Sequence, residues 1–208
     1  MTLGKTCVAV CLLSGAGGIC GGSQAKLVPV ARVTVCLENA VGVDDVTLDR
    51  AELGAAKIFA SIPLQMDWRH YGKSCPTERD PIMLRITTGT PKDYYPGALG
   101  SALPYEGIHI RIFYDRIQQV RPDLVVPVLA HVLAHETAHI LMGTDSHSDI
   151  GVMKFRWNRN ELEYMAVRPL TFSVFDISLL NSGIAARHTR LAAARDGNTI
   201  FAAKVPID

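Results

Sequence analysis

The sequence predicts an α+β fold in one domain, a sheet of short strands packed on a buried central helix. Three observations carry that expectation. Short Val- and Ile-rich stretches alternate apolar with polar residues in the first half, as half-buried strands do. The segment from Leu124 to Met142 is apolar on nearly every side, which marks a helix covered all round. A length of 208 residues with 48% hydrophobic side chains fits one sizeable core.

Charge and hydropathy narrow the class further. With 21 Lys+Arg against 20 Asp+Glu, the formal charge is +1. That balance argues against a basic face for nucleic acid and against an acidic disordered segment. No run reaches the roughly 18 uninterrupted apolar residues of a membrane span, so a polytopic membrane protein is excluded too.

The first 25 residues have the order of a secretory signal. A positive start through Lys5 is followed by the apolar Cys7 to Leu13, a glycine-rich stretch, and the small residues Ser23 and Ala25 around a cleavage site after Ala25. The five glycines from Gly15 to Gly22 would break a buried strand or helix there. A lipid anchor at Cys20 is disfavoured by the bulky Ile19. Removing 25 of 208 residues leaves 183, free of a membrane span and with Cys36 and Cys75 as the remaining cysteines. In an oxidising compartment these two either form one disulfide or stay as buried thiols.

The rest of the chain divides by its periodicity. Lys26 to Leu37 is the first expected strand. A helix starts at Thr47, with Leu48, Ala51, Ala55, Ile58 and Phe59 near one face, and ends before Pro63. Leu64 to Trp68, Ile82 to Thr87 and Ile108 to Phe113 read as further strands. Asp123 is the expected N-cap of the central helix and Gly143 its C-terminal stop. Ser173 to Asp176 resembles a capping box opening a last helix through about Arg187. The expected organisation is a signal over 1–25, one main domain over 26–190 and a tail over 191–208.

The chemistry is concentrated in the central helix, which contains His135-Glu136-Thr137-Ala138-His139. Two histidines four apart lie on one helical face, one turn from each other, so both imidazoles can reach one metal ion. Glu136 beside them is suited to orient and deprotonate a water. Three ionisable side chains are costly to bury in an apolar helix without a partner, and a metal is such a partner. Gly143 allows a sharp turn after the helix, which brings His147 back as a third ligand. Three protein ligands on zinc leave an open position, the catalytic arrangement.

The stretch HETAHILMGTDSHSDIGVM resembles the zinc helix, glycine turn, third histidine and Met-turn of the metzincin metallopeptidases. Leu99 to Pro104, followed by Gly107 to Ile110, resembles that family's substrate-binding edge strand and the strand after it. The resemblance implies a small twisted mixed sheet with an antiparallel edge strand, a buried zinc-binding helix, a Met-turn and a C-terminal helix. It implies one catalytic Zn2+ held by His135, His139 and His147, Glu136 as general base, and Met153 in the Met-turn. It also implies a peptide or protein substrate lying as a strand along Gly100, Ser101 and Ala102. The activity implied is hydrolysis of peptide bonds by an exported zinc enzyme.

The spacing departs from the family pattern. The family places the glycine three and the third ligand six residues after the second histidine, whereas Gly143 is four and His147 eight after His139. Asp145 stands at position six and is the alternative third ligand. The short step from His147 to Met153 resembles the compact archaemetzincins, without the paired cysteines those place there. A gluzincin-type site would take Glu161 or Glu163 instead. A metzincin-like domain that binds metal or a partner without turnover is the alternative function. Among the other candidates, His131 lies one turn before His135, and Tyr164 is a possible oxyanion donor or plain helix packing. His109 is expected to be a strand residue, and His70 and His188 to be exposed.

Overall fold

Val33, Val35 and Leu37 lie two apart on the first strand, so their side chains share one face, and all three are buried. The same face continues through Ile82, Leu84 and Ile86 and through Ile110 and Ile112, which are also buried. In this computed structural model, residues 30–72, 75, 81–91 and 94–202 are described, with side chains to residue 193. The expected signal segment, 1–25, lies outside the described residues.

The strands are β1 (Ala31–Asn39), β2 (Leu64–His70), β3 (Ile82–Thr87), β4 (Gly100–Ala102) and β5 (His109–Phe113). They form one mixed sheet in the order β2-β1-β3-β5-β4. β1, β2, β3 and β5 run parallel, and the short edge strand β4 runs antiparallel to β5. The parallel β1–β2 pair needs a crossover, supplied by α1 (Asp45–Phe59). Asp44 caps that helix by accepting from Thr47 N–H at 2.9 Å, so the helix begins at Asp45, two residues ahead of the start expected from periodicity.

The central helix α3 (Val125–Met142) lies against the apolar face of the sheet beside α1, and every residue from Val128 to Leu141 is buried. By length and composition alone it could cross a membrane; here it is the core helix. α5 (Val174–Ala202) packs on its other side. Ser173 and Asp176 form the expected reciprocal cap, with Asp176 N–H donating to Ser173 Oγ at 3.1 Å and Ser173 N–H to Asp176 Oδ2 at 2.8 Å.

Several boundaries differ from those expected. Asp123 does not cap α3. The helix is entered through a 3-10 turn at Pro122–Leu124 without a side-chain cap, and Asp123 is gripped by both nitrogen arms of Arg121 at 2.7 and 2.9 Å. A planar guanidinium binds a carboxylate more strongly than one backbone N–H does. α5 continues past Arg187 to Ala202, into the segment expected as a tail, whose residues 203–208 lie outside the described ones. Two short helices were given no bounds in advance, α2 (Tyr114–Val120), which was not anticipated, and α4 (Arg159–Met165), which carries Tyr164 in the helical packing considered for it. The second carries a readable signal: Asn158 accepts from Glu161 N–H at 3.0 Å, and Glu161 reaches back to Asn158 N–H at 2.7 Å. Cys36 and Cys75 are joined as a disulfide with Cα atoms 5.8 Å apart, one of the two states the sequence allowed.

Candidate metal centre

The C-terminal half of α3 sets the first two imidazoles. His135 and His139 are four residues apart, and their Nε2 atoms face each other at 3.0 Å. Backbone carbonyls fix both rings from behind: His135 Nδ1–H donates to Val152 O at 2.8 Å, and His139 Nδ1–H to Thr144 O at 2.9 Å. A carbonyl can only accept, so the proton sits on Nδ1 and each Nε2 presents a lone pair.

Gly143 makes the second of those bonds possible. It adopts φ 71°, and its N–H donates to His139 O at 3.0 Å, closing the helix in the left-handed conformation glycine tolerates. The chain then reverses, brings Thr144 under His139, and carries His147 to the other two rings. The ligand atoms of His135, His139 and His147 all lie within 4.8 Å of one another. The ring centroids of His147 are 5.2 Å from His135 and 4.8 Å from His139.

Asp145 is not part of this group. Its Oδ1 accepts from Tyr105 O–H at 3.1 Å, in a bridge between the loop after β4 and the loop after α3. Glu161 is taken up by Lys154 at 2.8 Å and by the cap of α4, and Glu163 by Arg121 and Arg159. Neither belongs to the imidazole cluster.

The donor set fits a divalent cation. Two lone pairs 3.0 Å apart repel unless a proton or a cation lies between them. Burial disfavours the proton: it takes His135 down to about 3, with the charge of His139 acting in the same sense. Burial also takes His139 down to about 4, against the Thr144 carbonyl, and lowers His147. Neutral imidazoles with free Nε2 atoms are what zinc takes as ligands, and the Val152 and Thr144 carbonyls orient them from the second shell of contacts.

The loop that holds His135 is itself pinned. Val152 N–H donates to Thr171 O at 3.0 Å, and Ser148 N–H donates to Met153 O at 2.9 Å. Gly151 has φ 76°, and a Cβ there would fall 2.2 Å from Thr171 O, so only glycine lets the turn pass. Met153 is completely buried beside this turn. Asp176 links the turn to α5 through the hydroxyl of Ser148.

Glu136 points from the same helix toward β4. The β4–β5 register decides which backbone groups meet it. Leu103 N–H donates to His109 O at 3.0 Å and Phe113 N–H to Leu99 O at 2.9 Å, so residues 99, 101 and 103 pair inward. Gly100 and Ala102 therefore present their backbone groups at the free edge. Glu136 receives the Ala102 N–H, while burial pushes its carboxyl up to about 8. Of the three expected substrate-contact residues, Gly100 and Ala102 face the cleft with their main chain, and Ser101 turns its main chain toward Arg111.

A cleft of about 670 Å³ runs along this edge and contains His135, Glu136, His139 and His147. Two aromatic neighbours of the cluster went unassigned in the sequence. Trp157 stands edge-on to His135 at 5.7 Å, with its Nε1–H on Gly151 O at 3.3 Å. Phe155 is 61% exposed and meets His147 edge-on at 5.0 Å. Aromatics two and four residues after Met153 were the available signal. Tyr164, half exposed on α4, is not in the cleft wall.

His131 has a different task from the metal group. Its Nδ1–H donates to Pro127 O at 2.6 Å, and its Nε2 accepts from Leu170 N–H at 2.9 Å. It ties α3 to the segment before α5. His109 pairs with Glu106 at the surface.

The chain is similar to archaemetzincins. The crystal structure of archaemetzincin from Methanopyrus kandleri has a TM-score of 0.49 and 17% identity, covering 74% of this chain and 96% of that one. The Archaeoglobus fulgidus archaemetzincin, solved in complex with malonate, has a TM-score of 0.46 and 16% identity, covering 71% of this chain and 99% of that one. No family model matches the sequence, and no curated protein does.

Proposed function

We propose that the protein is an exported zinc-dependent peptidase that hydrolyses peptide bonds, with Glu136 as general base. One observation carries the reading: a buried carboxyl, Glu136, stands between three clustered imidazoles and the unpaired edge of a strand. A site that only bound metal would need no carboxyl there. The disulfide between Cys36 and Cys75 supports export, because such bonds persist in oxidising compartments.

Zinc, when held by His135, His139 and His147, supplies Lewis acidity that polarises a carbonyl and lowers the pKa of water. The chain's own groups do the rest. Gly100 N–H and C=O and the Ala102 C=O are free to pair with an extended peptide, which adds as a strand along β4. Glu136 takes the proton of the attacking water and returns it to the leaving amine. A cation nearby favours the ionised carboxylate, opposing the effect of burial, so the group is poised to exchange a proton near neutral pH. Val132, Trp157 and Leu162 give the cleft an apolar wall that excludes water from one side.

Metal analysis and cleavage of a mixed peptide library by wild type, Glu136→Ala and His147→Ala test this directly. Wild type is expected to carry zinc and cleave, Glu136→Ala to keep zinc and lose at least 10³-fold in rate, and His147→Ala to lose both. Zinc-loaded wild type without any cleavage would leave a binding domain in its place. Zinc kept by His147→Ala and lost by Asp145→Ala would move the third ligand to Asp145.

A further inference from the structure

A second group of metal-ligand type lies at the opposite edge of the sheet from β4. Asp49 and Glu52 are three apart on α1 and share a face, and His70 ends β2, the edge strand to which α1 leads. One ligand atom from each of the three lies within 4.8 Å of the others.

Glu52 is the unusual member. It is 8% exposed, in a helix whose buried positions are otherwise apolar, and its Oε1 has no hydrogen-bond donor among the described residues. His70 Nε2 stands 3.6 Å away, beyond hydrogen-bond reach. The other buried positions of α1, Leu48, Ala51, Ala55, Ile58 and Phe59, are all apolar. A buried carboxylate without a donor is costly, and burial raises its pKa, with His70 opposing and the charge of Asp49 adding to the rise. Its unsatisfied oxygen points to where Asp49 and His70 converge.

We propose that Asp49, Glu52 and His70 form a second divalent-cation site, separate from the imidazole cluster, that binds Zn2+ and fastens α1 to the end of β2. Two carboxylates and one imidazole make a donor set that zinc accepts, with water completing its coordination. The cation's charge balances the two carboxylates and gives Glu52 Oε1 a direct contact in place of its long 3.6 Å ion pair with His70. The role is structural, because among the described residues no further buried acid or base stands at the group, and the strand edge beside it is remote from β4 in the sheet order.

Equilibrium dialysis of the full chain against Zn2+, with the metal counted per chain, tests the site. Wild type is expected to bind two equivalents, and Glu52→Gln and His70→Ala one each, with peptide cleavage retained. His135→Ala/His139→Ala is expected to bind one equivalent, and none once Glu52→Gln is added. An equal number of equivalents in wild type, Glu52→Gln and His70→Ala overturns the proposal, as does a folded His135→Ala/His139→Ala variant that binds none. If that double variant does not fold, the comparison of wild type with His70→Ala still decides. One equivalent in wild type falling to zero in Glu52→Gln would keep this site and remove the peptidase reading, so the two fail separately.

Discussion

Gly100 and Glu136 occupy a space that admits no side chain on the strand. A Cβ at position 100 would fall 2.8 Å from both Cγ and Oε1 of Glu136, and 3.0 Å from its Cδ. The register of β4 turns that position toward α3, and the helix turns the carboxyl toward β4, so each limits the other. The close approach is what sets the carboxyl against the strand edge where a peptide would lie.

Gly100→Ala should therefore displace the carboxyl without touching the imidazoles. Misplacing a catalytic group by about 1 Å costs on the order of 10²-fold in rate. The expected outcome is a kcat lower by about that factor with zinc content and folding unchanged, read from steady-state kinetics beside metal analysis. An unchanged kcat would mean that the contact does not position Glu136.

His131 links stability to pH. Burial lowers its pKa to about 4 from 6.5, so the folded state holds it neutral while the unfolded chain binds a proton sooner. Its contribution is complete above pH 6.5 and is lost as pH falls from 6.5 through 4, a change of about 3 kcal/mol. His131→Leu removes the acceptor of Leu170 N–H, and should cost about 1–3 kcal/mol at pH 7.5. The gap between variant and wild type should narrow as pH drops through that window. Urea midpoints at pH 7.5, 6, 5 and 4.5 would show this, and parallel curves would contradict it.

Gly183 lets α5 press on the end of α3. A Cβ there would lie 1.9 Å from Leu141 O and 3.0 Å from Met142 Cα, and both are backbone atoms with no side-chain freedom to yield. Gly183→Ala is expected to lower stability by about 3 kcal/mol, the upper end of ordinary overpacking. Thermal unfolding is the measurement; a change under about 0.5 kcal/mol would mean that the two helices separate easily.

The Cys36–Cys75 bridge spans 39 residues and ties β1 to the loop after β2. By chain entropy, closing a loop of that length is worth about 4 kcal/mol. Cys36→Ala/Cys75→Ala should lose most of that in a urea titration, and thiol titration of the oxidised wild type should find neither cysteine free. Equal midpoints for the two proteins would show that the bridge adds nothing to stability.

Much of the site was legible because its determinants are local. Helical periodicity alone puts His135 and His139 on one face, and a glycine after an apolar helix predicts the turn that returns the chain. The order of strands and helices around it follows from alternation and from caps within a few residues, as at Ser173 and Asp176. Asp123 shows where local rules stop: its spacing suits a cap, but Arg121 claims its carboxylate. Only the tertiary structure decided between His147 and Asp145 as neighbour of the imidazoles, because Tyr105, distant in sequence, engages Asp145. It likewise decided that Gly100 and Ala102, rather than Ser101, open their backbone to the cleft, since that depends on which hydrogen bonds β5 takes. What the sequence by itself determined is the chemistry of the groups and their spacing along one helix. Which groups meet across the fold was decided by strand register and packing, where partners lie tens of residues apart and no short-range pattern encodes them.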